Sequence, residues 1–279
     1  MKKRLMVTAT TFLALVAGLG VMVGELGSEQ PGRVESGWND DLATADTWNE
    51  VMAGIGEAKG RIELADASLI IEVNATDGDA GFQLFADGEG WRNLRVFEPN
   101  GRKIFHAMVE SGIRRIGGGT ELFLESEEPE FEDLDELEDL LGLLPEGEYR
   151  FIARTTGNDW AIGSAELTHV VPAGPVVLEP LPAPGEDCAA GVAVGDAVIA
   201  WEPVTTTIQG SPDVSIVTYQ VIVEDEAAGR ELAVMVDAAT NAITVPAEFL
   251  RPGTEYGFEV LAIEEGGNQT ITESCFVTE

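Results

Sequence analysis

Four acidic side chains near residue 80 are the group whose types and spacing could hold a ligand. Asp77, Asp79, Asp87 and Glu89 stand in NATDGDAGFQLFADGEG, where two Asp-Gly segments flank one short apolar run. If the run is a strand and both segments are turns, the carboxylates could meet on a loop-bound Ca²⁺, which takes about six to eight hard oxygen ligands. The spacing differs from that of an EF-hand loop. Turn-forming Asp residues are the alternative interpretation.

The chain carries no recognisable catalytic motif. Its two histidines, His106 and His169, stand in strand-like segments without the spacing of a nucleophile and its base. P-loop, GxGxxG, HExxH and GxSxG patterns are missing. Paired carboxylates are uninformative in a chain with 50 acidic residues. The sequence therefore predicts a protein that is not an enzyme.

The net charge of −34, from 16 basic and 50 acidic residues, excludes one class of partner. Such an excess of carboxylates repels the phosphates of nucleic acids, and it disfavours anionic membrane surfaces for the same reason. The charge indicates either solubility in a salty medium or the binding of divalent cations. Composition alone leaves both interpretations open.

The N-terminus has the pattern of a bacterial export signal. Three basic residues precede an almost wholly apolar run from Leu5 to Val23. We expect residues 1–28 to be a cleaved signal peptide or, because the run is nearly long enough to span a bilayer, an uncleaved anchor. Any membrane contact would then be made through this segment. We expect residues 29–60 to be a polar linker or a loosely packed leader, and the protein to be periplasmic or extracellular.

From about residue 62 onward, apolar and polar residues alternate with the period of strands. Asn100-Gly101 is the strongest of several hairpin signals. The stretch 125–139 is acidic and carries Leu or Phe at every third or fourth position, which predicts a short amphipathic helix. A Pro-rich segment at 172–186 cannot pair as a central strand. It separates two predicted β-sandwich domains, residues 61–172 and 173–279.

The same nine-residue pattern occurs once in each predicted domain. LLPEGEYRF (143–151) and LRPGTEYGF (250–258) both read Leu-x-Pro-x-x-Glu-Tyr-x-Phe. A chain that crosses between sheets leaves unpaired backbone groups at the bend, and a Tyr in the next strand can satisfy one of them with its hydroxyl. We expect each corner to have a Leu that closes the end of the sandwich, a Pro that fixes the bend and an anchoring Tyr. These residues are Leu143, Pro145 and Tyr149 in the first corner, and Leu250, Pro252 and Tyr256 in the second.

Residues 174–279 resemble a fibronectin type III domain. Trp201 matches the Trp of that family's second strand, Tyr219 matches the aromatic residue of its third strand, and 250–262 matches its crossover into the sixth strand. The whole chain is also similar to a group of exported bacterial proteins that end in such a module. With the strand pattern, the resemblance implies an all-β fold of two tandem Ig-like or fibronectin type III-like β-sandwiches, the first with a short acidic helix in its crossover.

Two cysteines in an exported chain favour a disulfide. In a fibronectin-like sandwich, Cys188 would follow the first strand and Cys275 would lie in the last, and these strands are near enough for a bond. Two buried free thiols are the alternative.

These features predict a non-enzymatic exported binding or scaffold protein. Its partner would be an envelope or extracellular protein, or a glycan. Ca²⁺ is the one cofactor that the sequence leaves open. The alternative is a carbohydrate-binding accessory or polysaccharide-processing protein in which an exposed Trp91 or Trp160 stacks on sugar.

Overall fold

The computed structural model describes residues 47–55 and 60–279, so the predicted signal peptide and most of the predicted leader lie outside the described residues. All described residues belong to one compact unit, Asp40–Glu279. Among them, no helix is both long enough and apolar enough to cross a bilayer.

The helices are α1 (Trp48–Ile55), α2 (Ser111–Arg115) and α3 (Leu134–Leu141). The strands up to residue 167 are β1 (Arg61–Glu63), β2 (Asp66–Asn74), β3 (Asp79–Phe97), β4 (Lys103–Met108), β5 (Gly119–Glu125), β6 (Gly147–Thr155) and β7 (Trp160–Leu167). Those that follow are β8 (Val176–Glu179), β9 (Ala189–Val192), β10 (Val198–Glu202), β11 (Ile216–Asp225), β12 (Arg230–Asp237), β13 (Ala242–Thr244), β14 (Glu255–Glu264) and β15 (Gln269–Thr278).

The first sandwich is organised around β3, a strand of 19 residues that belongs to both of its sheets. The first half of β3 pairs with β2 and β5, and the second half pairs with β4 and β6. Strand β7 continues the second sheet beside β6, and β1 pairs with β7 in parallel at the edge. The core between the sheets includes Ile71, Leu84 and Phe151.

The sequence predicted a turn at ADGEG (86–90), and the structure corrects this to continuous strand. The glycines there serve close packing. A Cβ on Gly90 would lie 2.0 Å from the backbone oxygen of Gly117, and one on Gly88 would lie 2.8 Å from Leu64 Cδ2. Gly residues therefore let β3 pass between the sheets where any side chain would collide.

The second sandwich has a three-stranded sheet, β13–β10–β8, opposite the strands β15–β14–β11–β12. These two sheets contain seven strands, and β9 is added in parallel beside β15. Trp201 and Tyr219 are fully buried in its core, with ring centroids 5.3 Å apart. The first sandwich repeats this order, since β2, β3 and β5 correspond to β8, β10 and β13. The predicted all-β sandwich fold is confirmed.

Two of the helices pack against the first sandwich. Helix α3 was predicted, and it buries Leu137 and Leu141 against the core while the Asp133 side chain accepts a hydrogen bond from the Glu136 N–H. Helix α1 corrects the prediction of a loosely packed leader, because Val51 is buried and the Trp48 ring lies 5.7 Å from the Phe97 ring. Thr47 and Glu50 form a capping box at the start of α1, in which each side chain bonds the backbone N–H of the other residue. This Thr-x-x-Glu pattern is the sequence signal that indicates the helix.

The two sandwiches share one 12-stranded sheet, because β15 of the second pairs in parallel with β2 of the first. The Pro-rich connector is packed rather than free. Within it, Ala173 N donates a hydrogen bond of 2.9 Å to the Thr206 carbonyl, and the preceding Val171 lies in the first core. The junction is therefore built from backbone pairing and buried side chains.

Candidate functional site at the junction of the two sandwiches

The side chain of Asn268, in the turn between β14 and β15, bonds two separate segments of the first sandwich. Its Oδ1 accepts from Ile71 N at 2.9 Å, and its Nδ2 donates to the carbonyls of Thr168 (2.9 Å) and Val170 (3.0 Å). The side chain is only 2% exposed. Because these three partners are backbone groups, the loss of Asn268 would leave one donor of β2 and two acceptors in residues 168–170 unpaired.

Further hydrogen bonds extend the junction along β15. Thr270 Oγ1 donates to the Pro172 carbonyl at 2.6 Å, and Asn74 Nδ2 donates to Glu273 Oε1 at 2.7 Å. Gly174 fits here because a Cβ would lie 2.6 Å from Ala75 Cβ. The strands and the connector thus hold one arrangement of the two sandwiches.

Three carboxylates meet beside this junction on the outer face of the shared sheet. Glu72 on β2, Glu125 at the end of β5 and Glu128 in the following loop bring carboxylate oxygens within 4.8 Å of one another. Gly81 makes room, since a Cβ there would lie 2.9 Å from Glu128 Cγ. Glu72 is buried, whereas the other two reach solvent. We call these three residues the acidic cluster.

The amides of two buried glutamines lie against the acidic cluster. Gln83 Nε2 donates to Glu125 Oε1 at 3.1 Å, and Gln269 Nε2 donates to Glu72 Oε2. Both glutamines are on the sheet positions that face the cluster, as cross-strand neighbours of Glu125 and Glu72. Each glutamine thus bonds one carboxylate of the cluster, while Glu125 and Glu128 stay exposed.

Burial and mutual repulsion weaken the acids of the cluster. Burial raises the pKa of Glu72 to about 7, with the Glu128 and Glu125 carboxylates adding to the rise while hydrogen bonds from Gln269 and Gln83 oppose it. Burial also raises the pKa of Glu128 to about 7, and the charges of Glu125, Asp79 and Glu273 act in the same direction. The cluster can therefore hold protons or a cation near neutral pH.

The residues predicted to bind Ca²⁺ do not converge. Asp77 and Asp79 lie at the β2–β3 hairpin, whereas Asp87 and Glu89 lie at the far end of the same half of β3. Eight residues of strand separate Asp79 from Asp87, which is roughly 26 Å at about 3.3 Å per residue. The predicted four-residue site is wrong, because ADGEG extends the strand instead of turning it back. Of the four, Asp79 influences the acidic cluster.

The Tyr hydroxyl of each repeated corner bonds the backbone, as a donor in the first corner and as an acceptor in the second. Tyr149 Oη donates to the Pro145 carbonyl at 2.9 Å, whereas Tyr256 Oη accepts from Arg251 N at 2.8 Å. Both Tyr side chains are fully buried. Pro252 directly follows Arg251, so each bond closes the bend that contains the Pro.

The two corner Leu residues lie in different environments, and the closing role expected of Leu143 is wrong. Leu250 is 6% exposed and packs in the second core, whereas Leu143 is 67% exposed. In the first sandwich, α3 precedes the corner and supplies Leu137 and Leu141 to the core instead. The inserted helix thus displaces Leu143 into solvent.

We predict that Tyr149→Phe and Tyr256→Phe each lower the free energy of unfolding of the protein by about 1–3 kcal/mol. Each substitution removes a buried hydroxyl and leaves its backbone partner unpaired. Urea unfolding of the full chain, followed by fluorescence and circular dichroism, measures the change. Decreases below about 0.3 kcal/mol in both variants would contradict an anchoring role.

Cys188 and Cys275 form a disulfide with a Cα–Cα distance of 4.8 Å. Cys188 precedes β9, and the next residue, Ala189, pairs with Phe276 of β15. The predicted disulfide is present, and it ties the added edge strand to the last strand of the chain.

The tryptophans proposed to stack on sugar are core residues. Trp91 is 3% exposed and Trp160 is 8% exposed. Trp160 packs with Val51, Phe97 and Ile152 under α1. Because stacking on a glycan needs exposed rings, this basis for the carbohydrate alternative is wrong.

Comparison with known proteins gives matches among solved structures alone: no family model and no curated protein matches the chain. A chicken contactin segment, FN1–FN3, is 14% identical over 79% of this chain and 65% of the segment, with a TM-score of 0.33. A two-domain fibronectin type III segment of chicken tenascin is 13% identical over 78% of this chain and 100% of the segment, with a TM-score of 0.29. A tetra-tandem repeat from the extending region of a large adhesion protein is 11% identical over 77% of this chain and 50% of the repeat, with a TM-score of 0.27.

These TM-scores are below 0.5, so the fold assignment rests on the strand order and on the buried aromatic residues. Sheets of three and four strands enclose Trp201 against Tyr219, and Tyr256 closes the corner into β14. The fold is fibronectin type III-like. In the first sandwich the same strand order recurs, with the second and third strands of the fibronectin type III-like order joined into β3.

Proposed function

We propose that the protein is a non-enzymatic exported binding or scaffold protein that presents two fibronectin type III-like sandwiches, residues 61–172 and 173–279, in one fixed orientation. The parallel pairing of β15 with β2 carries this proposal. Neighbouring domains in one chain usually move relative to each other unless their interface is extensive. Here a hydrogen-bonded sheet and the buried Asn268 cross the interface, so a partner can contact both sandwiches without an ordering penalty.

The disulfide supports export. Cys188–Cys275 would be reduced in most bacterial cytosols and persists in oxidising compartments. The basic and apolar N-terminal pattern and the net charge of −34 agree with an envelope or extracellular location. The partner that fits this location is an envelope or extracellular protein, or a glycan bound through residues other than Trp91 and Trp160.

The histidines support a role without catalysis. A ring nitrogen of His169 lies 2.9 Å from the Leu144 carbonyl, and its backbone N–H donates to Glu146. His169 thus links the chain after β7 to the first corner. Burial lowers the pKa of His106, and the charges of Arg95 and Lys103 lower it further. The charged neighbours that act on this ring are therefore cations.

Spin labels on Glu138→Cys in α3 and Glu226→Cys after β11 test the fixed orientation. Both positions are exposed and lie in different sandwiches. We expect pulsed electron resonance on the full chain to give one narrow distance distribution. The Asn268→Ala variant should broaden it at least twofold, because the bonds from Asn268 to β2 and to residues 168–170 are lost.

Asn241→Ala is the matched control, since Asn241 is an exposed asparagine in a turn of the second sandwich. Its distribution should stay narrow. A broad distribution in the wild-type chain would contradict a rigid scaffold. A narrow one in the Asn268 variant would show instead that Asn268 does not fix the junction.

A further inference from the structure

We propose that the acidic cluster of Glu72, Glu125 and Glu128 binds a divalent cation, with Ca²⁺ favoured, and that Gln269 contributes an amide oxygen. The bound ion would tie the loop after β5 to the sheet beside the sandwich junction. This proposal is independent of the scaffold role. The junction can be rigid without a bound ion, and the cluster can bind an ion without a protein or glycan partner.

The spacing of the three carboxylates suits an ion of this size. Their oxygens all lie within 4.8 Å of one another. Ca²⁺–oxygen distances of about 2.3–2.6 Å place neighbouring ligand oxygens roughly 3–5 Å apart. A cation between the three side chains can therefore contact all of them without movement of the backbone.

Gln269 is the independent observation that points to a ligand. It is fully buried, and among residues 47–55 and 60–279 its Oε1 has no hydrogen-bond partner. A buried amide oxygen without a partner is destabilising. In the ion-free protein Nε2 faces Glu72 and Oε1 does not; a half-turn of the amide would give up the Nε2 bond to Glu72 and bring Oε1 to that position. There it would become a ligand to a cation held by Glu72.

The charges around the cluster favour a cation of charge two. The charges of Glu128 and Glu125 act on Glu72. Those of Glu125, Asp79 and Glu273 act on Glu128, and all of these residues are acidic. Three ionised carboxylates at this spacing repel one another, and a divalent cation converts that repulsion into attraction.

The ligand set selects among divalent cations. Glu125 and Glu128 reach solvent, so an ion can enter and keep water in its remaining positions. The set consists of carboxylate and amide oxygens from β2, β15, β5 and a loop. Ca²⁺ accepts such irregular oxygen sites, whereas Mg²⁺ requires near-octahedral geometry and sheds its water reluctantly.

Calorimetric titration of the purified full chain with CaCl₂, after removal of metals with EDTA, tests the site. At about pH 8 and roughly 0.15 M NaCl, nonspecific attraction to the acidic surface is screened. We expect saturable binding of one Ca²⁺ with a dissociation constant on the order of 0.1–1 mM, the range of extracellular modules. Glu72→Gln combined with Glu125→Gln should weaken it at least about tenfold, since two charged ligands are lost.

Glu121→Gln is the matched control, because Glu121 is an exposed acid on the same strand and face as Glu125. Four residues of strand place it roughly 13 Å away, so binding should be unchanged. Glu128→Gln, in the exposed loop, provides a variant that does not disturb the buried sheet, and it should also weaken binding. Circular dichroism checks that each variant is folded.

Three results would overturn the proposal: no saturation by roughly 10 mM Ca²⁺, equal affinity in the wild type and the cluster variants, or tighter binding of Mg²⁺ than of Ca²⁺. The distance between the spin labels at positions 138 and 226, measured in EDTA, tests the rigid scaffold without the ion. A narrow distance distribution together with no Ca²⁺ binding would contradict the ion site and leave the scaffold proposal intact.

Discussion

Replacement of Cys188 and Cys275 by serine is expected to lower the free energy of unfolding of the second sandwich by on the order of 4 kcal/mol. The bond joins residues separated by 87 positions, so it removes much of the chain entropy of the unfolded state. It also retains β9, which is paired with β15 at Ala189 and Val192. Urea unfolding of the full chain, followed by circular dichroism and tryptophan fluorescence, measures the change.

The reduced wild-type protein is the control for this prediction. Treated with a thiol reductant, it should unfold at the same urea concentration as the double-serine variant, whereas the variant should not respond to the reductant. A loss of less than about 1 kcal/mol would contradict a stabilising bond. Equal stability of oxidised and reduced wild type would do the same.

The second sandwich could be predicted in detail because its signals are local. Alternating runs and turn residues determined its seven strands, and Trp201, Tyr219 and the corner at Tyr256 fall where the fibronectin type III resemblance places them. The added strand β9 was missed. Its AAGV sequence has little strand propensity, and its pairing depends on the neighbouring disulfide and on β15.

The first sandwich shows where local signals fail. Asp87-Gly88 has the composition of a turn, yet Gly88 and Gly90 are required by contacts with Leu64 and Gly117, which are distant in sequence. Composition cannot distinguish a glycine that turns the chain from one that admits a neighbour. The error at this position also produced the incorrect Ca²⁺ site.

The acidic cluster could not be predicted because it depends on strand register. Glu72 and Gln269 are neighbours across the β2–β15 pair, 197 residues apart in sequence. A shift of one residue in that register would turn every β2 side chain to the other face of the sheet. In a chain with 50 acidic residues, the sequence alone does not indicate which acids meet.

Glu259→Gln is expected to stabilise the protein at about pH 8, by on the order of 3 kcal/mol. Glu259 lies on the outer face of β14, opposite Ile222 on one side and Glu273 on the other. It is 3% exposed, and its Oε2 has no hydrogen-bond partner in the part of the chain that the structure describes. Burial raises its pKa to about 8, and the charges of Glu273, Glu224, Glu72 and Glu231 add to the effect.

The effect of this substitution depends on pH in a defined direction. Because the pKa of Glu259 is about 8 in the folded protein and 4.5 ordinarily, the folded state binds more protons between these values. The stability of the wild type should therefore fall as pH rises from about 4.5 to about 8. Glutamine has no proton to lose, so the variant should show a smaller fall. The two proteins should be nearly equally stable at about pH 4.5.

Urea unfolding at several pH values in EDTA measures this difference without interference from cations. Glu255→Gln is the matched control, since Glu255 is an exposed acid on the same strand, and it should change stability by less than about 0.5 kcal/mol throughout. The apolar side chains of Ile222, Leu261 and Ile271 pack together on the face that carries Glu259, which is why an ionised carboxylate there is destabilising. A Glu259→Gln variant whose stability runs parallel to the wild type from about pH 4.5 to about pH 8 would show that Glu259 ionises freely in the folded protein.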